Sequence, residues 1–117
     1  MKTIQLSLIL VLILMGSLYS ANSFAQTSTE DPVIPNVFTP NNDGVNDSFR
    51  VSNLEGDWEL MIFDRYGSLV FATQQARGAS WNGVNLQGLD ADSGVYFYTL
   101  KESSTTRSYN GSLHLFR

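Results

Sequence analysis

The chain contains no cysteine. That absence excludes disulfide staples, thiolate metal sites and cysteine nucleophiles together. Histidine occurs once, at His114, so a Ser-His-Asp relay would have to be built around that single imidazole. His114 alternates with Leu113 and Leu115, which directs it to the opposite face of a strand, toward solvent. No serine sits in a G-x-S-x-G elbow. Positive charge is scarce as well: 7 Lys+Arg stand against 11 Asp+Glu, a formal net charge of −4. Without a basic stripe the chain is not expected to bind nucleic acid or an anionic membrane surface. Beyond the first residues no stretch carries a helical period of apolar residues.

The long apolar run that does exist lies at the start. Lys2 precedes "IQLSLILVLILMGSL", and the polar stretch after it ends in "ANSFAQ". A charged beginning, an apolar middle and a small-x-small site at Ser23-Phe24-Ala25 predict a cleavable secretory signal peptide over residues 1–25. The run falls short of the ~20 residues that a spanning helix needs, so no transmembrane span is expected after cleavage. No cysteine is present to carry a lipid anchor at the cleavage site. Residues 26–31, "QTSTED", are polar and aperiodic and read as a flexible leader; residues 32–117 read as one small domain.

Within that domain, alternating apolar and polar residues recur between turn signals about every ten residues, which marks an all-β fold. "PNVF" suggests a first short strand. "DSFRVS" follows, with Phe49 and Val51 on one face. "WELMIFD" places Trp58, Leu60 and Ile62 together, and "SLVFAT" pairs back across "DRYGS", where Gly67 suits a positive φ. "GVYFYTLKE" carries Tyr96, Tyr98 and Leu100 on one face and Val95, Phe97 and Thr99 on the other, so it reads as a central strand. "SYNGSLHLFR" closes the domain, with Tyr109, Gly111, Leu113 and Leu115 aligned. The expected architecture is an immunoglobulin-like, two-sheet antiparallel β-sandwich of about seven short strands, with a small open barrel as its rival. With no disulfide to help, the core must come from aromatic and aliphatic packing, at about 1.5–3 kcal/mol for each large side chain fully buried.

Three chemical readings compete for the polar motifs. Asp43 with Asp47, or Asp90 with Asp92, could form a carboxylate pair, but Asp and Asn also hydrogen-bond nearby amides and set turns. "NNDGVND" has the oxygen-rich look of a calcium loop with Gly44 at its bend, yet it lacks the closing Glu of an EF-hand-type loop. The competing reading is an Asx-rich turn in which Pro40 fixes one φ and Gly44 supplies a positive one. Trp58 and Trp81 could stack on sugars; Trp58 is in phase with Leu60 and Ile62 and is assigned to the core, whereas Trp81 stands before an Asn-Gly turn and is left open. No cofactor, no metal and no enzymatic activity is expected.

Taken in order, "IPNVFTPNNDGVNDSFRV", "LMIFDRYGSLVF", "WNG", "GVYFYTLK" and "YNGSLHLFR" resemble the gliding-motility-associated C-terminal domain, the type B sorting domain of the type IX secretion system of Bacteroidota. The resemblance spans about Pro32 to Arg117. It implies a β-sandwich that acts as a sorting label and interaction module, with outer-membrane type IX translocon components as partners. The implied route runs through the periplasm to the cell surface or the medium. Asn36, Phe38, Thr39 and Pro40 match the family's opening motif, and Asn41, Asp43, Gly44, Asn46 and Asp47 match its Asn/Asp loop. Asp64, Arg65, Tyr66 and Gly67 stand where the family usually has Asn-Arg-Trp-Gly. Trp81, Asn82 and Gly83 match Trp-Asp-Gly, Gly94, Tyr96 and Tyr98 match the Gly-x-Tyr-x-Tyr strand, and Gly111 matches the last strand. For the glycines and the first-loop Asn and Asp residues an architectural role is expected. Domains of the family normally trail a large passenger; here none intervenes between leader and domain, so the domain travels alone, has lost a passenger or is itself the cargo.

Overall fold

The computed structural model describes residues 30–117; the expected signal peptide and residues 26–29 of the leader lie outside them. Among the described residues every regular element is a strand: β1 (Val37–Phe38), β2 (Trp58–Phe63), β3 (Leu69–Thr73), β4 (Gly94–Glu102) and β5 (Ser108–Leu115). The all-β expectation holds. The strands form one five-stranded sheet in the order β1-β5-β4-β2-β3. β2 pairs antiparallel with β3 and β4, and β4 with β5, whereas β1 runs parallel to β5, with Val37 opposite His114 and Phe38 opposite Leu115.

Two features depart from the sandwich expected of the sequence. The sheet is mixed, because the opening and closing strands run in the same direction and meet at one edge. In place of a second sheet, the inner face is covered by loops that pair only at isolated points. Phe49 bridges Trp81, Val33 bridges Ser52 and Val84 bridges Asp90. "DSFRVS", expected as a full strand, thus contributes single bridges at Phe49 and Ser52. Turn chemistry explains the interruption. Asn42, Gly44, Asn46, Asn53 and Gly56 all take positive φ, and each breaks the extended geometry that a continuous ladder requires.

The core lies between sheet and loops. Trp58, Leu60 and Ile62 of β2, Tyr96 and Leu100 of β4, and Leu113 and Leu115 of β5 line the inner face. Phe49, Val51, Leu54, Ala76, Trp81 and Ala91 cover it from the loop side. The alternation read from β4 is correct for the inner face and for its central position, but its second face is open: Val95 is 38% and Phe97 47% exposed. Between β2 and β3 the register slips after Ile62, where Ile62 faces Phe71 and Phe63 faces Leu69. Val70, the extra residue, turns into the core, as a bulged residue does when it strengthens local twist.

The last two residues of the expected leader make defined contacts. Asn53 donates from Nδ2 to the Asp31 carbonyl at 2.9 Å, and the Tyr109 hydroxyl donates to Asp31 Oδ1 at 2.8 Å. Arg107 lies 3.8 Å from the same carboxylate and stacks over the Trp58 ring at 5.2 Å, closing that end of the core.

Candidate functional site

The polar motifs converge on turns. After Phe38, fully buried at the end of β1, the chain enters the Asn/Asp loop. Its mouth is closed by the Thr39 amide, which donates to the Asn46 carbonyl at 2.7 Å. Inside, Asn41 Oδ1 accepts from the Asp43 amide at 3.1 Å and Asp43 Oδ1 from the Val45 amide at 2.9 Å. Asp47 Oδ2 accepts from the Gly44 amide at 2.8 Å, so two of the carboxylates weighed as a catalytic or calcium pair bind their own loop. Asp47 Oδ1 is buried without a hydrogen-bond partner. Among the described residues no group of three or more His, Cys, Asp or Glu is placed to hold a metal ion. Asn36 lies outside the loop; its carbonyl accepts from the His114 amide at 2.8 Å, which joins β1 to β5.

The β2–β3 turn is built the same way. Asp64 Oδ1 accepts from the amides of Tyr66 and Ser68 at 2.8 and 2.9 Å. Gly67, at φ 83°, donates to the Asp64 carbonyl at 3.1 Å. The side chains of Arg65 and Tyr66 lie outside this network. Tyr66 is 80% exposed, and the Arg65 guanidinium lies 5.2 Å from its ring centroid.

Trp81 is 1% exposed. Its ring packs between Phe38 at 5.3 Å and Tyr96 at 5.2 Å, and its Nε1 donates to the Val84 carbonyl at 2.8 Å. That removes the platform on which a sugar could have stacked. Asn82 Oδ1 accepts from the Val84 amide at 3.3 Å, and the Gly83 carbonyl accepts from Arg117 Nη2 at 2.7 Å. Arg117 also donates from Nε to the Ala91 carbonyl at 2.9 Å and pairs with Asp90 at 3.6 Å. Arg117 was not singled out in the sequence, since a final arginine carries no periodic or motif signal; only the fold brings it to the Trp-Asn-Gly turn.

On β4, Gly94 opens the strand opposite Leu115. The Tyr96 hydroxyl donates to the Asp92 carbonyl at 2.6 Å, a tyrosine reaching back to the backbone just upstream, as at the corner of immunoglobulin-type sheets. Burial, then the nearby Asp92 and Asp64 carboxylates, push the Tyr96 phenol above its ordinary pKa; burial alone does so for Tyr98. Tyr98 faces Gly111 on β5, and its ring fills the space a side chain would need: a Cβ there would stand 2.7 Å from Tyr98 Oη. Gly111 and Tyr98 are thus one packing unit read in two separate motifs.

Tyr96→Phe tests the corner. Losing one hydroxyl bond is expected to lower stability by about 1 kcal/mol, a few degrees in melting temperature for a small domain. Because folding holds the Tyr96 and Tyr98 protons more tightly, stability is fully present below the ordinary phenol range. It falls as pH rises through about 10 and above. Denaturant titrations from pH 8 to 11 should show that decline in the wild type and a shallower one in Tyr96→Phe.

The family model of the CHU_C type IX secretion signal domain matches residues 33–115. The chain belongs to this family. Its motifs therefore sit on a type IX secretion sorting domain, and the role it shares with the family is sorting. No curated protein matches the chain. Among solved structures it is similar to PorZ, described as an essential bacterial surface component of the type-IX secretion system of Porphyromonas gingivalis, with a TM-score of 0.59 and 21% identity. The match covers 81% of this chain and 13% of the PorZ chain, and at that identity it speaks for the fold.

Proposed function

We propose that the domain is a non-enzymatic sorting and interaction module. It folds in the periplasm as a sandwich-like label, is read by outer-membrane type IX translocon components, and leaves for the cell surface or the medium. The observation that carries this reading is the family match across residues 33–115. The placement of the polar groups supports the non-enzymatic part. Asp43, Asp47 and Asp64 bind turn amides. His114 stands exposed on the outer face of β5, with the Phe116 ring 5.9 Å away as its aromatic neighbour.

The test is fractionation of a Bacteroidota host that makes the full chain, with and without a working type IX translocon. The chain is expected at the surface or in the medium in the first strain and in the periplasm of the second. Equal distribution in both strains would remove the sorting reading. A protein-binding role is the second reading, favoured by the exposed Val95 and Phe97 on the outer face of β4; its sugar-binding variant loses its anchor with the burial of Trp81.

A further inference from the structure

Most residues of the family motifs are used up in folding. Phe38, Trp81 and Tyr96 are core; Asn41, Asp43, Asp47, Asp64 and Asn82 hold turn amides. The tip of the β2–β3 turn is different. Tyr66 projects an aromatic ring at 80% exposure, and Arg65 stacks on that ring. Among the described residues no carboxylate lies within ion-pair distance of Arg65, so the stack is its one defined side-chain contact. An exposed tyrosine backed by an arginine contributes nothing to the core, yet tyrosine and arginine are the side chains that dominate binding energy at protein interfaces.

Beside this tip lies a recess of about 70 Å³, lined by Asp64, Arg65, Tyr66 and the segment Asp92–Tyr96. Its walls are fixed on both sides. The Asp64 cap holds the turn, and the Tyr96 hydroxyl holds the Asp92 backbone. The space suits one side-chain head group and is far below the roughly 300–1,000 Å³ of a small-molecule site. Two acidic residues, Asp64 and Asp92, and one basic residue, Arg65, are among its lining residues, an excess of negative charge. Both turn amides bond Asp64 Oδ1, so Asp64 keeps its second oxygen, and Asp92 is exposed. The chain as a whole is acidic, at −4.

Resting on the sorting reading above, we propose that Tyr66 and the adjoining recess are the contact by which the export machinery holds this domain. The partner is a folded protein with an apolar slot for the Tyr66 ring and, beside it, a Lys or Arg drawn to the recess by the excess negative charge of Asp64 and Asp92. Arg65 is a positioning residue: it covers one face of the ring and limits its rotation. The walls are preformed, so little ordering cost falls on binding.

The experiment follows the full chain in the same host, as wild type and as Tyr66→Ala, Tyr66→Trp, Asp92→Lys and Asp92→Glu. Each secreted or periplasmic protein is also purified and melted. Tyr66→Ala and Asp92→Lys are expected to cut the exported fraction by about tenfold or more, the scale of a lost interface hot spot. Their melting temperatures should stay within a few degrees of wild type, because neither side chain is in the core. Tyr66→Trp and Asp92→Glu, which keep an aromatic ring and a carboxylate, should export more than Tyr66→Ala and Asp92→Lys do. Wild-type export of Tyr66→Ala overturns the proposal while leaving the sorting function standing. Loss with Tyr66→Ala but normal export of Asp92→Lys overturns the basic partner. Failure of the wild-type chain itself to leave the cell counts against the sorting function instead.

Discussion

Trp81→Ala is expected to leave the domain unfolded, or folded only in the cold. Trp81 is 1% exposed, and through its ring and its backbone it joins β1, β4 and the Phe49 loop. It touches Phe38 from β1 and Tyr96 from β4. Its backbone exchanges two hydrogen bonds with Phe49, at 2.8 and 2.9 Å. Truncating a buried Trp or Phe to Ala costs about 3–5 kcal/mol. A domain of this size, without disulfides, has a total stability of about 5–15 kcal/mol and belongs near the lower end. Loss of the ring also orphans the Val84 carbonyl that Nε1 satisfies at 2.8 Å. Thermal denaturation followed by near-ultraviolet circular dichroism decides the matter. A cooperative melt within a few degrees of wild type would show that the loop layer does not depend on this side chain. Trp81→Phe should fall between the two, keeping most of the contacts but not the indole hydrogen bond.

The same residue shows where the sequence is legible and where it is not. Trp58, Leu60 and Ile62 alternate over a whole strand, and period-2 patterning announces their burial. Trp81 belongs to no periodic stretch, so its neighbours in sequence do not say whether it faces water or the core. The deciding partners, Phe38 and Tyr96, are distant in the chain. β2, β4 and β5 were readable for the same reason that they are long: uninterrupted alternation on the inner face. The loop layer that covers the sheet among the described residues was not readable, because strand-like residues at Phe49 and Val51 are neighboured by turns whose positive φ values at Asn46 and Asn53 confine pairing to single bridges. The parallel β1–β5 edge has no local signal either; it joins the two ends of the domain. Among the motif residues, the Asn/Asp loop was legible as a turn because Asx side chains bond amides two or three positions away. The Arg117 contact and the recess beside Tyr66 arise only when remote turns are brought together.

Gly83→Ala should be the second most damaging change, and its cause can be separated into parts. Gly83 has φ 82°, a left-handed conformation that costs a residue with a Cβ about 1–2 kcal/mol. A Cβ there would also stand 3.0 Å from Arg117 Nη2, 3.1 Å from Leu115 Cδ1 and 3.3 Å from Pro40 Cγ. Leu115 is fully buried and Arg117 is tied to the Gly83 carbonyl itself at 2.7 Å, so neither yields freely. Overpacking of this kind adds about 1–3 kcal/mol. Gly67→Ala provides the control: φ is 83°, but nothing lies within 4 Å of its Cβ position. The excess of the Gly83 penalty over the Gly67 penalty, measured by urea titration, is the crowding term. Equal penalties would refute the packing argument and leave backbone strain alone. Arg117→Ala removes one of the three crowded neighbours along with two backbone hydrogen bonds. The double variant should therefore lose less than the two single losses combined, by about 0.5 kcal/mol or more. Such coupling would mean that Pro40, Gly83, Leu115 and Arg117 act as one packed joint, since they occupy a single space.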